Sequence, residues 1–86
     1  MNKQSLFVEV RSRQGLVFSG ELWAVTSYNK AGMFDILPEH ANFVSMITNK
    51  IILKRDDGKR DEINVEDGVI VVEDDTVKIF IGITKT

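Results

Sequence analysis

Apolar and polar residues alternate with a period of two near both ends of the chain. Leu6, Val8 and Val10 form one apolar phase near the N-terminus, and every second residue from Val77 to Ile83 forms another. A period of two places alternate side chains on one face of a β-strand, whereas an amphipathic helix needs a spacing of three to four residues. No stretch of this chain keeps the helical spacing, so the pattern predicts β-structure throughout.

Turn-forming residues interrupt the apolar runs at short intervals, which is typical of an all-β sandwich or barrel. The clearest hairpin uses Asp57 and Gly58, residue types that tolerate the positive φ of a tight turn. Its charged flanks fit either a solvated hairpin end or a charged docking tip. The predicted strands are 5–11, 16–18, 21–27, 33–37, 43–47, 51–55, 60–65, 69–73 and 77–83.

Large apolar side chains on these strands are the candidates for the core between two sheets. Trp23 is the ambiguous member, because tryptophan is also enriched in binding hot spots. The predicted core consists of Phe18, Trp23, Val25, Phe34, Ile36, Val71, Ile79 and Ile81.

Composition agrees with one β-domain covering residues 1–86. The chain has 86 residues, and 19 Val and Ile outnumber 8 Leu and Ala, which favours strands over helices. The absence of cysteine excludes disulfides and thiolate metal sites, and a net charge of −2 argues against a nucleic-acid partner. The sequence has no signal-peptide segment and no apolar run long enough to span a membrane, so we expect no direct membrane insertion.

His40 is the only histidine, and its neighbours Glu39 and Asp35 suggest a metal or acid–base site. One imidazole with two loop carboxylates is a poor donor set for catalytic zinc, which leaves a structural or interface histidine as the favoured interpretation. The six glycines are scattered and form no phosphate-binding loop. We therefore expect no catalytic residue, no metal and no cofactor.

Three short motifs in fixed order resemble the N-terminal β-sandwich of the epsilon subunit of rotary F-type ATP synthases. They are Phe18-Ser19-Gly20, then Gly32 followed by Ile36-x-Pro38-x-His40-Ala41, and finally Gly68-Val69-Ile70-Val71-Val72. Each motif is short, but the ordered set is specific, and the resemblance extends over residues 5–83. Asp35 and Glu39 depart from the family pattern, because bacterial relatives often carry glycine at both positions.

The resemblance implies an all-β fold, namely a flattened antiparallel β-sandwich of about ten short strands in two sheets. It also implies a non-catalytic subunit of the central stalk. Such a subunit docks on the gamma subunit and the rotor c-ring, at the cytoplasmic face of a bacterial inner membrane, and couples rotation to ATP synthesis. The family usually continues into two C-terminal helices that inhibit ATP hydrolysis. This short form has no counterpart of them, so we expect it to lack that inhibition. Because it also has no phosphate-binding loop, we expect the chain alone neither to hydrolyse ATP nor to bind it tightly.

The resemblance further implies which loops contact the partners. Loops at one end of the sandwich face the c-ring, and another loop lies near the gamma subunit. Met33 replaces an acidic residue found in some relatives, and Lys30 could meet an acidic loop. The ring-facing residues are Asn29, Lys30, Ala31, Gly32 and Met33, and those near gamma are Glu39, His40 and Ala41.

Three alternatives remain open at this stage. Residues 29–33 could be only a solvated hairpin turn. The whole chain could be an unrelated β-sandwich module that binds a ligand or a protein. A small hydrolase or metal enzyme using His40 is the third alternative.

Overall fold

The computed structural model describes residues 5–82, and these residues form seven β-strands. The strands are β1 (Leu6–Ser12), β2 (Gly15–Leu22), β3 (Ala24–Asn29), β4 (Gly32–Ile36), β5 (Phe43–Lys54), β6 (Arg60–Glu73) and β7 (Thr76–Ile81). Three of them, β2, β5 and β6, are longer than the sequence predicted.

All seven strands belong to one hydrogen-bonded sheet with the order β2-β1-β7-β6-β5-β3-β4. Two long strands, β5 with 12 residues and β6 with 14, belong to both halves of this sheet. Their pairing changes register between Ile47 and Asn49, so each strand divides into two segments there. A register shift of this kind, like a β-bulge, bends the strand and increases its twist, so the sheet can fold over on itself there.

The fold therefore has two layers joined through β5 and β6. We call the first the β1 layer; it contains β2, β1, β7, the second segment of β6 and the first segment of β5. We call the second the β3 layer; it contains the other segments of β6 and β5, then β3 and β4. Counting both segments of the long strands explains why the sequence predicted nine strands rather than seven.

The β1 layer departs from the predicted antiparallel arrangement at one pair, because β1 and β7 run parallel. The first and last strands of the described chain are thus neighbours. Every other strand pair is antiparallel. The all-β sandwich architecture is confirmed. The corrections are that seven strands replace the predicted ten or so, that they form one continuous sheet instead of two, and that β1 and β7 run parallel.

Gly20, Asn49 and Asp67-Gly68 lie in gaps between the predicted strands, but the structure places them within β2, β5 and β6. Gly20 leaves room for the Phe18 ring, which stands 3.3 Å from the place where a Cβ would lie. Asn49 has φ +77°, a conformation that Asn tolerates better than most residues, and it lies at the register shift of β5. These residues mark local irregularity within strands rather than strand ends.

Buried side chains from both layers form a single hydrophobic cluster. The alternating phases of β1 and β7 lie inside it, as predicted, with Val8 and Val77 fully buried. The predicted core was right for Val25, Ile36 and Ile79, while Phe18, Phe34 and Ile81 are half-buried against the cluster. The fully or nearly fully buried members are Leu6, Val8, Val10, Leu22, Val25, Ile36, Ile47, Ile51, Leu53, Val65, Ile70, Val72, Val77 and Ile79.

The prediction that Val71 and Trp23 belong to the core is wrong. Val71 is only half-buried, because its neighbours Ile70 and Val72 occupy the inward positions of β6. Trp23 is 50% exposed, because it lies between β2 and β3 where the chain passes from one layer to the other. Its neighbours Leu22 and Ala24 take the buried positions there.

Candidate functional site

The first predicted contact segment is the tight turn between β3 and β4. Asn29 pairs with Gly32, so Lys30 and Ala31 form the two-residue tip. The Asn29 Oδ1 atom accepts a hydrogen bond from the Ala31 amide at 2.8 Å, and its Nδ2 atom donates to Ser45 Oγ at 3.2 Å. The side chain of Asn29 thus shapes the turn and attaches it to β5.

The tip of this turn exposes a cationic side chain, and the start of β4 beside it exposes an apolar one. Met33 is 63% exposed, and Lys30 is exposed with no carboxylate within ion-pair distance in residues 5–82. Gly32 has φ +122° with open space around it. A larger residue would fit sterically at Gly32 but would be strained by that backbone conformation.

The second predicted segment, Glu39–Ala41, belongs to the loop between β4 and β5. Glu39 has φ +69°, which is unfavourable for a glutamate, and its amide donates to Asp75 Oδ1 at 2.6 Å. The amide of Asp74 donates to Asn42 Oδ1 at 3.3 Å. Two hydrogen bonds therefore attach this loop to the turn between β6 and β7.

His40 is half-buried and held by its own loop. Its amide donates to the Leu37 carbonyl oxygen at 3.1 Å. Its Nδ1 atom lies 2.7 Å from the Ala41 carbonyl oxygen and must carry the proton, because a carbonyl can only accept. The ring also packs edge-on against Phe43 with centroids 5.7 Å apart. These contacts give His40 a structural role in shaping the loop.

Asp35, one of the two carboxylates near His40 in the sequence, has partners other than His40. Asp35 accepts a hydrogen bond from the Thr26 hydroxyl and lies 3.9 Å from Lys54 Nζ. Within the described part of the chain, no three His, Asp or Glu side chains approach closely enough to hold a metal ion.

The start of β5 links the two predicted segments. Phe43 contacts the His40 ring and also packs edge-on against Phe34 of β4, with centroids 5.4 Å apart. Two residues further along β5, Ser45 accepts the hydrogen bond from Asn29. The structure therefore attaches the β3–β4 turn and the β4–β5 loop to one stretch of strand, although it shows no direct hydrogen bond between them among residues 5–82.

Sequence reasoning missed the outer face of the β1 layer. Met46, Val69 and Phe80 are cross-strand neighbours there, and Met46 and Phe80 are 68% and 51% exposed. Val44 beside them is 67% exposed. The signal was present, because residues 69–72 are all apolar and residues 43–47 are apolar except for Ser45, so both phases of the strand alternation carry apolar side chains. Exposed apolar patches of this kind are typical of protein interaction surfaces.

The outer face of the β3 layer is different, because ion pairs cover it. Lys50 Nζ lies 3.3 Å from Glu62 Oε1 across β5 and β6. At the β5–β6 hairpin, Arg55 donates to Asp61 at 2.7 Å, and this hydrogen bond and the charge of Asp61 raise the pKa of Arg55 above its usual value. The hairpin turn itself lies where the sequence placed it, with Gly58 at φ +89°.

No helix in residues 5–82 has the length and hydropathy needed to cross a membrane.

Comparisons with known proteins agree with this architecture. The family described as "ATP synthase, Delta/Epsilon chain, beta-sandwich domain" matches residues 5–83. An ATP synthase epsilon chain from Leptospira borgpetersenii serovar Hardjo-bovis is 34% identical over 80 residues, which cover 93% of this chain and 63% of the relative. One from Nitratiruptor sp. is 31% identical over 71 residues, covering 81% of this chain and 55% of the relative.

Two solved assemblies contain chains with the same fold. A chain of the Euglena gracilis mitochondrial ATP synthase, solved as OSCP/F1/c-ring, superposes with a TM-score of 0.86 at 17% identity over 92% of this chain and 51% of its own. A chain of the Tetrahymena thermophila mitochondrial ATP synthase central stalk/c-ring superposes with a TM-score of 0.77 at 14% identity over 96% of this chain and 67% of its own.

The family match covers nearly the whole chain, and the curated relatives agree with it, although the chain spans less than two thirds of the length of both relatives. The family match confirms the resemblance that the sequence indicated over residues 5–83. The chain belongs to the ATP synthase delta/epsilon chain β-sandwich domain family.

Proposed function

We propose that this chain is a non-catalytic subunit of the central stalk of an F-type ATP synthase. In this role it docks on the gamma subunit and the rotor c-ring and helps to couple rotation to ATP synthesis. The observation that carries the proposal is the family match over residues 5–83. The relatives named ATP synthase epsilon chain support it, as do the neighbours solved with the central stalk and c-ring.

The geometry suits a docking role. A loop that transmits torque must be exposed at its tip and rigid at its base. The β3–β4 turn meets both conditions, because Lys30 and Met33 are exposed while Asn29 is hydrogen-bonded to β5. The exposed apolar face of the β1 layer further supports a role within an assembly.

We assign the ring contact to Asn29–Met33 and the contact near gamma to Glu39, His40 and Ala41. The exposed Met33 can pack against an apolar loop, and Lys30 can pair with an acidic one. The β4–β5 loop is held by Asp75 and by Phe43, so its shape is set before any partner arrives. In this assignment the subunit is a peripheral part of the synthase at the cytoplasmic face of a bacterial inner membrane.

A reconstitution experiment tests the ring assignment. Lys30→Glu in the complete synthase should weaken attachment of the central stalk to the membrane ring, because it reverses the charge at the tip. The melting temperature of the chain should stay nearly unchanged, since Lys30 is exposed and makes no ion pair within residues 5–82. Proton-driven ATP synthesis and the amount of stalk retained on washed membranes are the measurements.

Arg13→Glu provides the matched control. Arg13 is exposed in the β1–β2 turn, at the opposite edge of the sheet from β4, and undergoes the same change of charge. Gly32→Trp is a poor test, because a positive φ strains any larger residue there. If Lys30→Glu assembles and couples as well as Arg13→Glu, the ring contact lies elsewhere on the sandwich.

A further inference from the structure

The exposed tryptophan lies in a fixed position beside a charged hairpin. The Trp23 amide donates to the Lys54 carbonyl oxygen at 2.9 Å, which attaches this residue to the end of β5. Its neighbours Leu22 and Ala24 are anchored in the buried interior. The backbone under the indole is therefore held on both sides, while half of the side chain remains open to solvent.

A groove of about 340 Å³ runs between Trp23 and the β5–β6 hairpin. Four cationic residues line it, together with Asp56 and Gly58. The cations are Lys54, Arg55, Lys59 and Arg60. The lining of the groove is therefore positively charged, whereas the chain as a whole has a net charge of −2.

Two of these cations already have carboxylate partners. Arg55 donates to Asp61 at 2.7 Å, and Lys54 lies 3.9 Å from Asp35. Lys59 and Arg60 are exposed and form no ion pair within residues 5–82, and Asp56 has a partner of its own. Lys59 and Arg60 are therefore the charges that remain for an anionic ligand.

A second concavity also borders Trp23 but has the opposite character. Its charged residues are the carboxylates Glu21, Asp56 and Asp57 and the single cation Arg55, so it would repel an anion. An acidic ligand that covers Trp23 is therefore directed to the groove that contains Lys59 and Arg60. The half-exposed indole offers an apolar surface there, and tryptophan contributes strongly to contacts when it becomes buried.

We propose that this groove is a docking site for an acidic polypeptide segment carrying an apolar side chain. The apolar side chain packs on Trp23, and the carboxylates face Lys59 and Arg60. The site lies at the other end of β3 from the Asn29–Met33 turn, about 20 Å away at the rise of a β-strand. It is thus a second surface, and its existence does not depend on the ring assignment.

Trp23 is the only tryptophan, so its fluorescence reports directly on the groove. The probe is a tryptophan-free peptide of alternating Glu and Leu, titrated into the full chain. We expect a saturable blue shift of the emission, with an apparent affinity that falls at least about tenfold between roughly 20 and 200 mM salt as screening increases. A peptide with Lys in place of Glu should produce no saturable shift.

The double variant Lys59→Glu/Arg60→Glu should lose at least about tenfold in affinity for the acidic peptide, as expected for removal of close charge partners. The matched control, Arg13→Glu/Lys78→Glu, changes the net charge equally at exposed positions outside the groove and should bind within about twofold of the unchanged chain. Circular dichroism and melting curves identify any variant that fails to fold, and Lys59→Gln/Arg60→Gln then replaces it.

Three results would overturn the proposal. The first is equal loss of binding in the control and in the groove variant. The second is equal binding of the lysine peptide, which would leave no role for the cations. The third is displacement of the acidic peptide by anionic phospholipid vesicles or by short single-stranded DNA, which would assign the groove to a different class of partner.

Discussion

At the scale of single residues, four non-glycine residues in the described part of the chain have positive φ, and one of them is a residue type that rarely adopts it. Asn49, Asp74 and Asp75 have positive φ values, and their side chains make them tolerant of this region. Glu39 has φ +69° without that tolerance. It lies where the resemblance led us to expect glycine, so the strain and the departure from the family pattern coincide.

Glu39→Gly should therefore leave the protein as stable as before or stabilise it by up to about 1.5 kcal/mol. Relief of the left-handed conformation gains roughly 1–2 kcal/mol, and the greater freedom of glycine in the unfolded chain takes back about 0.4–1 kcal/mol. The hydrogen bond from residue 39 to Asp75 uses the backbone amide and survives the change. Urea unfolding followed by circular dichroism measures the difference.

Lys78→Gly is the control for this variant. Lys78 is an exposed residue within β7, paired regularly with Glu9 and Val71, where glycine should cost about 0.5–1 kcal/mol. If Glu39→Gly is destabilised as much as Lys78→Gly, then positive φ carries no cost at residue 39.

At the scale of elements, the long bent strands define the architecture. Ile47 pairs with Gly68 and Asn49 with Val65, so the irregular points of β5 and β6 lie opposite each other. Gly68 also lies so close to β7 that a Cβ would stand 2.5 Å from the Phe80 carbonyl oxygen. The absence of a side chain at Gly68 therefore allows the two strands to approach where the sheet changes layer.

Gly68→Ala should destabilise the protein by about 1–3 kcal/mol, the usual cost of overpacking, because backbone atoms cannot move aside as a side chain can. Gly20→Ala is the comparison, since its Cβ would meet only the tip of the Phe18 ring at 3.3 Å. We expect the Gly20 variant to lose less than about 0.5 kcal/mol, as most substitutions that avoid buried features do. Chemical denaturation of both variants is the measurement, and equal losses would contradict the role given to Gly68.

Sequence alone was sufficient for the all-β class, the β5–β6 hairpin turn and the inward phase of β1. It was insufficient for the continuity of β5 and β6, because Asn and Asp-Gly favour irregular backbone without specifying whether a strand ends or only bends. The parallel pairing of β1 with β7 joins residues far apart in sequence, which no local pattern encodes. Trp23 was misplaced because strand alternation does not reveal where the chain crosses between layers.

At the scale of the whole molecule, the two outer faces and the two ends of β3 differ in character. The β1 layer exposes Met46 and Phe80, whereas ion pairs such as Lys50–Glu62 cover the β3 layer. One end of β3 carries the anchored turn with Lys30, and the other carries Trp23 beside the cationic hairpin. A small domain with several distinct surfaces and a single core is suited to contact several neighbours at once.

The same organisation leads us to expect no tight nucleotide binding. A phosphate-binding loop needs consecutive backbone amides that are free to point at the ligand. The glycines of this chain serve other purposes: Gly15, Gly32 and Gly58 have positive φ beside or within turns, and Gly82 donates its amide to the Asp67 carbonyl oxygen at 2.7 Å. Near Trp23, Arg55 and Lys54 are already associated with Asp61 and Asp35.

Isothermal titration of ATP into the chain should therefore give no saturable heat at micromolar concentration, with or without magnesium. The variant Lys59→Glu/Arg60→Glu should give the same trace. Salt screens the attraction between two exposed cations and the phosphates of ATP, so these cations alone do not make a nucleotide site. Stoichiometric binding of ATP by the unchanged chain, with a dissociation constant in the micromolar range, would contradict this expectation. Loss of that binding in the variant would then locate the nucleotide in the groove beside Trp23.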